Sequence, residues 1–230
     1  MEWTTQINGT CCTDIAHAGG LLDGVPYTNS LEALDAARAA GRTLIEVDLL
    51  QTADGRIVLA HDWDAYEGQA PTFDVYQADT KFTVLDWDGM LGWLDRCREC
   101  RIVTDPKMSF ADFWPVFERS VSDARGKAQF ILQVYDTNEA AFLDQARPGQ
   151  PMILTTYRMD GVDADALATV RGITGLAAIT MPIDRVPWAA RAVAQEVGRP
   201  VFTHGYPWMM QSTLLLKIAR AFGAHGFYRD

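Results

Sequence analysis

A (β/α)8 barrel is the fold class that the sequence predicts. The chain has 230 residues, of which 48% are hydrophobic, and this is enough for one large α/β core. Short apolar segments alternate with helix-length amphipathic segments, which is typical of a parallel sheet covered by helices. About eight strands can be counted, and no break in composition divides them, so we expect a single domain over residues 1–230.

The strand predictions rest on short apolar runs bounded by turn residues. The run at 56–63 follows a tight turn at 53–55, so we expect it to be an extra, hairpin-like strand next to the second one. The predicted strands are 13–18, 43–52, 56–63, 101–107, 128–136, 151–158, 175–182, 200–206 and 224–230.

The helix predictions rest on apolar spacing and on end signals. Asn29 and Ser30 are candidate caps for the first helix, which should stop at Gly41. Pro115 should interrupt the third helix or mark its start. The predicted helices are 28–41, 83–100, 110–124, 138–146, 163–170, 186–198 and 213–223. The segment 65–82 is polar and irregular, and we expect it to be a small insertion after the second strand region that forms a lid or determines specificity.

A doubly wound open sheet is the alternative that the same alternation permits. Such folds often carry a GxGxxG motif after the first strand, and this sequence has none there, which weakens a dinucleotide-binding interpretation. A barrel also fits both the strand count and the chain length.

The charge balance restricts the partners. With 30 acidic and 20 basic residues the formal net charge is −10, which disfavours nucleic acid or an anionic membrane as the main partner. A phosphate substrate remains compatible, because a bound divalent cation reverses the local charge. No run approaches the ~20 apolar residues of a transmembrane segment, and no secretory signal is visible. We therefore expect a cytoplasmic protein whose Cys97-x-x-Cys100 pair consists of reduced structural thiols; the sequence does not indicate its oligomeric state.

Polar side chains end several of the predicted strands, where catalytic groups of parallel barrels lie. Within a strand, residues two apart project to one face, as do Glu46 with Asp48 and Asp105 with Lys107. These strand-end candidates are His17, Glu46, Asp48, His61, Asp105, Lys107, Gln133 and His204.

This residue set points to phosphodiester chemistry. Converging carboxylates repel one another unless a cation lies between them, and oxygen ligands suit Mg²⁺ or Ca²⁺. Two histidines beside such an ion can act as a general acid and a general base. A lysine adds fixed positive charge for phosphoryl oxygens.

Four stretches carry a resemblance to a known family: "IAHAGG", "YTNSLEAL", "IEVDLLQTADGRIVLAHDWD" and "IVTDPK". The chain resembles the glycerophosphodiester phosphodiesterase family, a group of phosphatidylinositol-phospholipase-C-like barrels, and "GAHGFYRD" resembles the last strand of that family. The resemblance implies His17 and His61 as acid/base residues, Glu46, Asp48 and Asp105 as metal ligands, and Lys107 as a phosphate-binding or ligand-orienting residue.

Two positions depart from the pattern of that family. Ala18 stands where an arginine that contacts phosphate is usual, and Asp105 replaces the usual glutamate. One potentially bidentate contact is therefore absent, which leaves the substrate open.

The function that follows is cleavage of a glycerol- or polyol-containing phosphodiester, or of a lysophospholipid-type substrate, by a metal-dependent phosphodiesterase. Gln133 and His204 are further candidates for substrate contact. Two alternatives remain: a barrel that binds a phosphorylated ligand without turnover, and a phospholipase-like lyase that forms a cyclic phosphate.

Overall fold

The structure is a computed structural model that describes residues 14–159 and 167–230. Cys11, Cys12 and the first part of the helix predicted at 163–170 lie outside the described residues.

The strands form one sheet whose order is β1-β9-β8-β7-β6-β5-β4-β2-β3, and β1 also pairs with β2. The sheet is thus a closed parallel barrel, to which β3 adds an antiparallel strand on β2. The predicted (β/α)8 class is confirmed, and the open doubly wound alternative is wrong. The strands are β1 Ile15–Ala16, β2 Leu44–Gln51, β3 Ile57–Leu59, β4 Arg101–Pro106, β5 Phe130–Val134, β6 Met152–Thr155, β7 Leu176–Pro182, β8 Val201–His204 and β9 Gly226–Arg229.

Helices separate the strands, and short 3₁₀ turns occupy His17–Gly19, Asp64–Tyr66 and Ala168–Val170. The sequence does not predict α2, α5 or α8. The described α-helices are α1 Leu31–Ala39, α2 Phe73–Asp79, α3 Trp87–Arg96, α4 Phe110–Ser120, α5 Asp123–Gln129, α6 Thr137–Ala146, α7 Val186–Val197, α8 Pro207–Met210 and α9 Thr213–Ala221.

Helix α1 begins where its cap predicts. The hydroxyl oxygen of Ser30 accepts a hydrogen bond from the backbone N–H of Ala33 at 3.2 Å, which satisfies one of the unpaired donors of the first turn. Ala33, Leu34 and Ala37 share the buried face of the helix. The cap therefore fixes the chain direction directly after Asn29, and Asn29 is part of the candidate site.

Helix α4 runs through Pro115 without a break, so the predicted interruption is wrong. Proline removes one backbone donor and disfavours the helix interior. The opposing contribution is aromatic packing: Phe113 and Phe117 are fully buried, and both rings lie within 6.3 Å of the Trp87 ring. Burial of this aromatic face offsets the cost of the proline.

The insertion at 65–82 is more ordered than the sequence predicts, because it contains α2. Phe73 and Tyr76, three residues apart on that helix, pack against a buried cluster that includes Val58 and Trp63. The Trp63 and Tyr76 rings meet edge to face at 5.1 Å. Tertiary packing thus stabilises a helix too short to be stable alone.

The described residues group into two compact units. One contains Asp123–Lys127 and Ile131–Arg229, and the other contains Ala16–Ser122, Ala128–Phe130 and Asp230. The expected single domain over 1–230 stays a prediction.

Cys97 and Cys100 form a disulfide, with their Cα atoms 5.3 Å apart. The expected reduced thiols are therefore not observed. The i, i+3 turn after α3 brings the two Cα atoms within the usual range for a disulfide. In the described ranges, no helix combines the length and the apolar character that a membrane crossing requires.

Gly175 offers a stability test of the β6–β7 connection. A Cβ atom there would overlap the carbonyl oxygen of Gln150, whereas Gly172 has open space around its Cβ position. We expect Gly175→Ala to lower the free energy of unfolding by about 2 kcal/mol through overpacking. Gly172→Ala should change it by less than ~0.5 kcal/mol. Urea unfolding followed by circular dichroism measures both, and equal stabilities of the two variants would contradict the close backbone approach.

Candidate active site

Three carboxylates come together on β2 and β4. Asp48 and Asp105 are register partners in the parallel ladder, so their side chains lie side by side, and Glu46 shares the face of Asp48. One oxygen from each carboxylate lies within 4.8 Å of the others. All three residues are at most 6% exposed, so this is a buried cluster of acidic groups.

The electrostatics of the cluster favour a cation. Burial and the charge of Asp48 raise the pKa of Glu46 to about 8. Oε1 of Glu46 is buried, and no described residue forms a hydrogen bond with it. Carboxylate oxygens are the ligands that Mg²⁺ and Ca²⁺ prefer, so the donor set fits such an ion.

Lys107 lies against two of these acids. Its Nζ donates a hydrogen bond to Oδ2 of Asp105 at 2.7 Å and forms an ion pair with Oδ1 of Asp48, also at 2.7 Å but without hydrogen-bond angles. Burial lowers the pKa of Lys107, but the charges of Asp105 and Asp48 outweigh it, so the pKa is raised. Lys107 is therefore charged and partly neutralises the cluster.

Asn29 holds Asp48 in place. Its Nδ2 donates to Oδ2 of Asp48 at 2.8 Å, and its Oδ1 accepts from the backbone N–H of Asp48 at 3.0 Å. Asn29 is 1% exposed and has φ 46°, a left-handed conformation that asparagine tolerates. This reciprocal pair fixes the carboxylate orientation.

The chain turns sharply after β1, and the turn brings His17 to the acids. Ala18 (φ 49°) and Gly19 (φ 85°) are both left-handed, and a Cβ on Gly19 would lie 2.9 Å from the Cβ of Ala33. The backbone N–H of Ala18 donates to Oε2 of Glu46 at 2.7 Å. The position where the family that the chain resembles carries arginine thus contributes a backbone donor to a candidate metal ligand.

His17 is oriented by Asp230. Its Nδ1 lies 3.2 Å from Oδ1 of Asp230, and its Nε2 lies 4.0 Å from Oε2 of Glu46. Burial lowers the pKa of His17, but the hydrogen bond with Asp230 and the charges of Glu46 and Asp48 raise it overall to about 9. With Nδ1–H donated to the carboxylate, Nε2 faces the acidic cluster.

His61 has a matching arrangement. It follows β3, and its Nδ1 lies 2.7 Å from Oδ2 of Asp62, whose pKa is lowered chiefly by the hydrogen bond with His61. Oδ1 of Asp62 also accepts the backbone N–H of Asp64. A carboxylate oxygen therefore lies at hydrogen-bond distance from Nδ1 of each of the two histidines.

Gln133 and His204 belong to the other unit. Gln133 is 2% exposed; its Nε2 donates to the Tyr135 hydroxyl at 3.0 Å and its Oε1 accepts from the Tyr228 hydroxyl at 3.1 Å. The ring of His204 lies 3.7 Å from that of Tyr157. Gln133 is thus part of a buried hydrogen-bond network. Substrate contact by Gln133 and His204 stays a prediction.

The sequence reasoning missed three contributors. The sequence pattern could have indicated Asp230, because it is a polar residue that follows a strand in the same way as His17 does. The sequence marks Asn29 only as a cap candidate, and nothing in its pattern indicates the contact with Asp48. Tyr27, whose ring contacts those of His17 and His61, lies in a loop, where strand-end reasoning does not apply.

A family match covers part of the chain. The Glycerophosphoryl diester phosphodiesterase family model matches residues 19–84, a range that includes Glu46, Asp48 and His61. Among curated proteins, no sequence match was found.

Solved structures share the fold over nearly the whole chain. A glycerophosphodiester phosphodiesterase from Thermotoga maritima has a TM-score of 0.67 at 14% identity, covering 96% of this chain and 94% of its own. One from Parabacteroides distasonis has a TM-score of 0.68 at 14% identity, with the same coverage of 96% and 94%.

A third structure was solved with a ligand. It is an Oleispira antarctica phosphodiesterase in complex with the product sn-glycerol-3-phosphate, with a TM-score of 0.67 at 13% identity and coverage of 97% of this chain and 94% of its own. The family match and the shared fold together confirm the resemblance of this chain to the glycerophosphoryl diester phosphodiesterase family.

Proposed function

We propose that the chain is a phosphoric diester hydrolase that cleaves a glycerol- or polyol-containing phosphodiester with a divalent cation, Mg²⁺ or Ca²⁺. The observation that carries the proposal is the cluster of Glu46, Asp48 and Asp105, with His17 beside it. The family match supports the reaction class, and the glycerol phosphate in the Oleispira structure supports glycerol phosphate as one side of the substrate.

Glu46, Asp48 and Asp105 would hold the cation, because their oxygens converge and Oε1 of Glu46 lacks a hydrogen-bond partner among the described residues. When bound, the cation would stabilise negative charge on a phosphoryl oxygen. Lys107, whose Nζ lies beside Asp48 and Asp105, adds a second positive charge next to the same position.

The two histidines move the protons. Nε2 of one histidine accepts the proton of the attacking water or substrate hydroxyl while the new P–O bond forms. Nε2 of the other donates a proton to the leaving oxygen as the old P–O bond breaks. Asp230 and Asp62, at Nδ1 of the two rings, keep each Nε2 directed at this exchange.

The test is turnover by the purified chain. We expect hydrolysis of a glycerophosphodiester, a lysophospholipid or bis(p-nitrophenyl) phosphate with Mg²⁺ or Ca²⁺, and its loss after chelation. Asp48→Asn should abolish this activity, whereas Asp74→Asn, on the exposed side of α2, should not change it.

Product analysis by phosphorus NMR separates the alternatives. A linear monoester indicates attack by water, and a cyclic phosphate indicates attack by a neighbouring hydroxyl. Cation-dependent thermal stabilisation without cleavage of any diester would contradict the proposal and favour a non-catalytic phosphate-binding barrel.

Asn29 gives a test of the cation site that does not depend on turnover. Asn29→Gly permits the positive φ but removes both hydrogen bonds to Asp48. We expect the affinity for the divalent cation to fall about 10- to 100-fold, since partners that orient metal ligands contribute on that scale. Isothermal titration calorimetry measures this affinity, with Asn138→Gly, at an exposed position of α6, as the control. Unchanged affinity would show that Asn29 does not support a ligand.

A further inference from the structure

Tyr27 links the two histidines that the proposed function uses. Its ring meets His17 edge-on with centroids 5.0 Å apart, and it meets His61 in a tilted arrangement with centroids 4.6 Å apart. Any phosphate that both histidines reach would therefore lie close to this tyrosine.

The backbone holds Tyr27 in an unfavourable conformation. Its φ is 59°, which is uncommon for a residue with a large side chain and persists only where the surroundings enforce it. Asn29, two residues along, anchors the loop: its backbone N–H donates to the carbonyl oxygen of Ala18 at 3.1 Å. The loop position is thus determined by contacts with the site itself.

The Tyr27 hydroxyl is available as a donor. Among residues 14–159 and 167–230 it has no hydrogen-bond partner, and the side chain is partly exposed. Burial and the charges of Asp230 and Asp48 raise the pKa of Tyr27 to about 12. The hydroxyl therefore keeps its proton at neutral pH and can donate to an anion.

Charges of both signs surround the Tyr27 hydroxyl. Tyr27 lies within the electrostatic reach of Lys107 as well as of the acids, and at Ala18 the side chain offers no donor. A neutral hydroxyl can donate to a phosphoryl oxygen without adding to the net charge of the site.

We propose that Tyr27 is a substrate-binding residue whose hydroxyl donates a hydrogen bond to a phosphoryl oxygen of a phosphodiester held between His17 and His61. This inference rests on the proposed function for the identity of the reacting group. The Tyr27 ring packs against both histidine rings, and the hydroxyl holds the phosphate next to them.

The test compares Tyr27→Phe with the wild type in two measurements: diester kinetics, and binding of inorganic phosphate with Mg²⁺ by titration calorimetry. Tyr27→Phe keeps the ring, so the melting temperature should not change. We expect kcat/KM to fall about 10- to 100-fold and phosphate binding to weaken about tenfold, as for loss of a hydrogen bond to a charged group. Tyr27→Asn tolerates the positive φ but lacks the ring, so its kcat/KM and its phosphate affinity should fall further than those of Tyr27→Phe. Tyr66→Phe is the matched control, because its hydroxyl faces Asp79 on α2 at 3.2 Å.

The outcomes separate the two proposals. If the wild type cleaves a diester and Tyr27→Phe matches it in kcat/KM and in phosphate affinity, the role of Tyr27 is wrong and the proposed function stands. If the wild type cleaves no diester but binds phosphate, and Tyr27→Phe weakens that binding, the proposed function is wrong and the contact stands. Absence of phosphate binding by an inactive wild type would overturn both.

Discussion

Replacing either His17 or His61 with asparagine should lower kcat for diester cleavage by about 10²- to 10⁴-fold, the range expected when a general acid or base is lost. A carboxylate of Asp230 or Asp62 lies at Nδ1 of each imidazole, and in the proposed mechanism each ring would transfer a proton at Nε2. Steady-state kinetics at saturating cation measures the loss. The circular dichroism spectrum should stay close to that of the wild type, which separates a loss of kcat from a loss of fold.

His225→Asn is the matched control. The Nδ1 of His225 accepts the backbone N–H of Val201 at 3.2 Å, a structural contact, so its replacement should leave kcat nearly unchanged. A near-normal kcat in His17→Asn or in His61→Asn would show that the altered histidine is not the acid or base.

Lys107→Met should strongly destabilise the protein in the absence of a divalent cation. Nζ of Lys107 lies 2.7 Å from both Asp48 and Asp105, and its removal leaves three buried carboxylates without that charge. Breaking such a buried pair costs about 3 kcal/mol or more. We therefore expect the free energy of unfolding to fall by about that amount in chelator.

Saturating Mg²⁺ should restore more stability to Lys107→Met than it adds to the wild type, because the cation would replace the lost ammonium charge. Urea unfolding with and without Mg²⁺ measures both quantities. Lys127→Met, which removes an exposed i, i+4 pair with Asp123, should change stability by less than ~1 kcal/mol under either condition. Equal responses of Lys107→Met and the wild type to Mg²⁺ would contradict a cation at the three carboxylates.

The sequence predicts the barrel well because the apolar strands and amphipathic helices alternate with clear end signals. The cap at Ser30 and the strand around Glu46 and Asp48 lie where the local pattern indicates. The errors occur where tertiary packing outweighs local preference. Aromatic burial keeps α4 helical through Pro115, and contact with the Trp63 cluster orders α2.

The site residues also fall into two groups: those that local patterns predict and those that depend on the conformation of a loop. Period-two spacing is sufficient to place Glu46 beside Asp48, and parallel register then brings Asp105 alongside. The contacts of Asn29 and Tyr27 depend on the left-handed turns of the loop before α1, which no residue pattern specifies. The disulfide at Cys97 likewise depends on a local turn.

The most direct measurement is a crystal structure of the chain with Mg²⁺ or Ca²⁺ and sn-glycerol 3-phosphate. We predict a cation bound by Glu46, Asp48 and Asp105, and a phosphate group within hydrogen-bond distance of Nε2 of both His17 and His61. A cation bound elsewhere, or a phosphate that touches neither histidine, would contradict the assignment of these residues to one phosphodiesterase site.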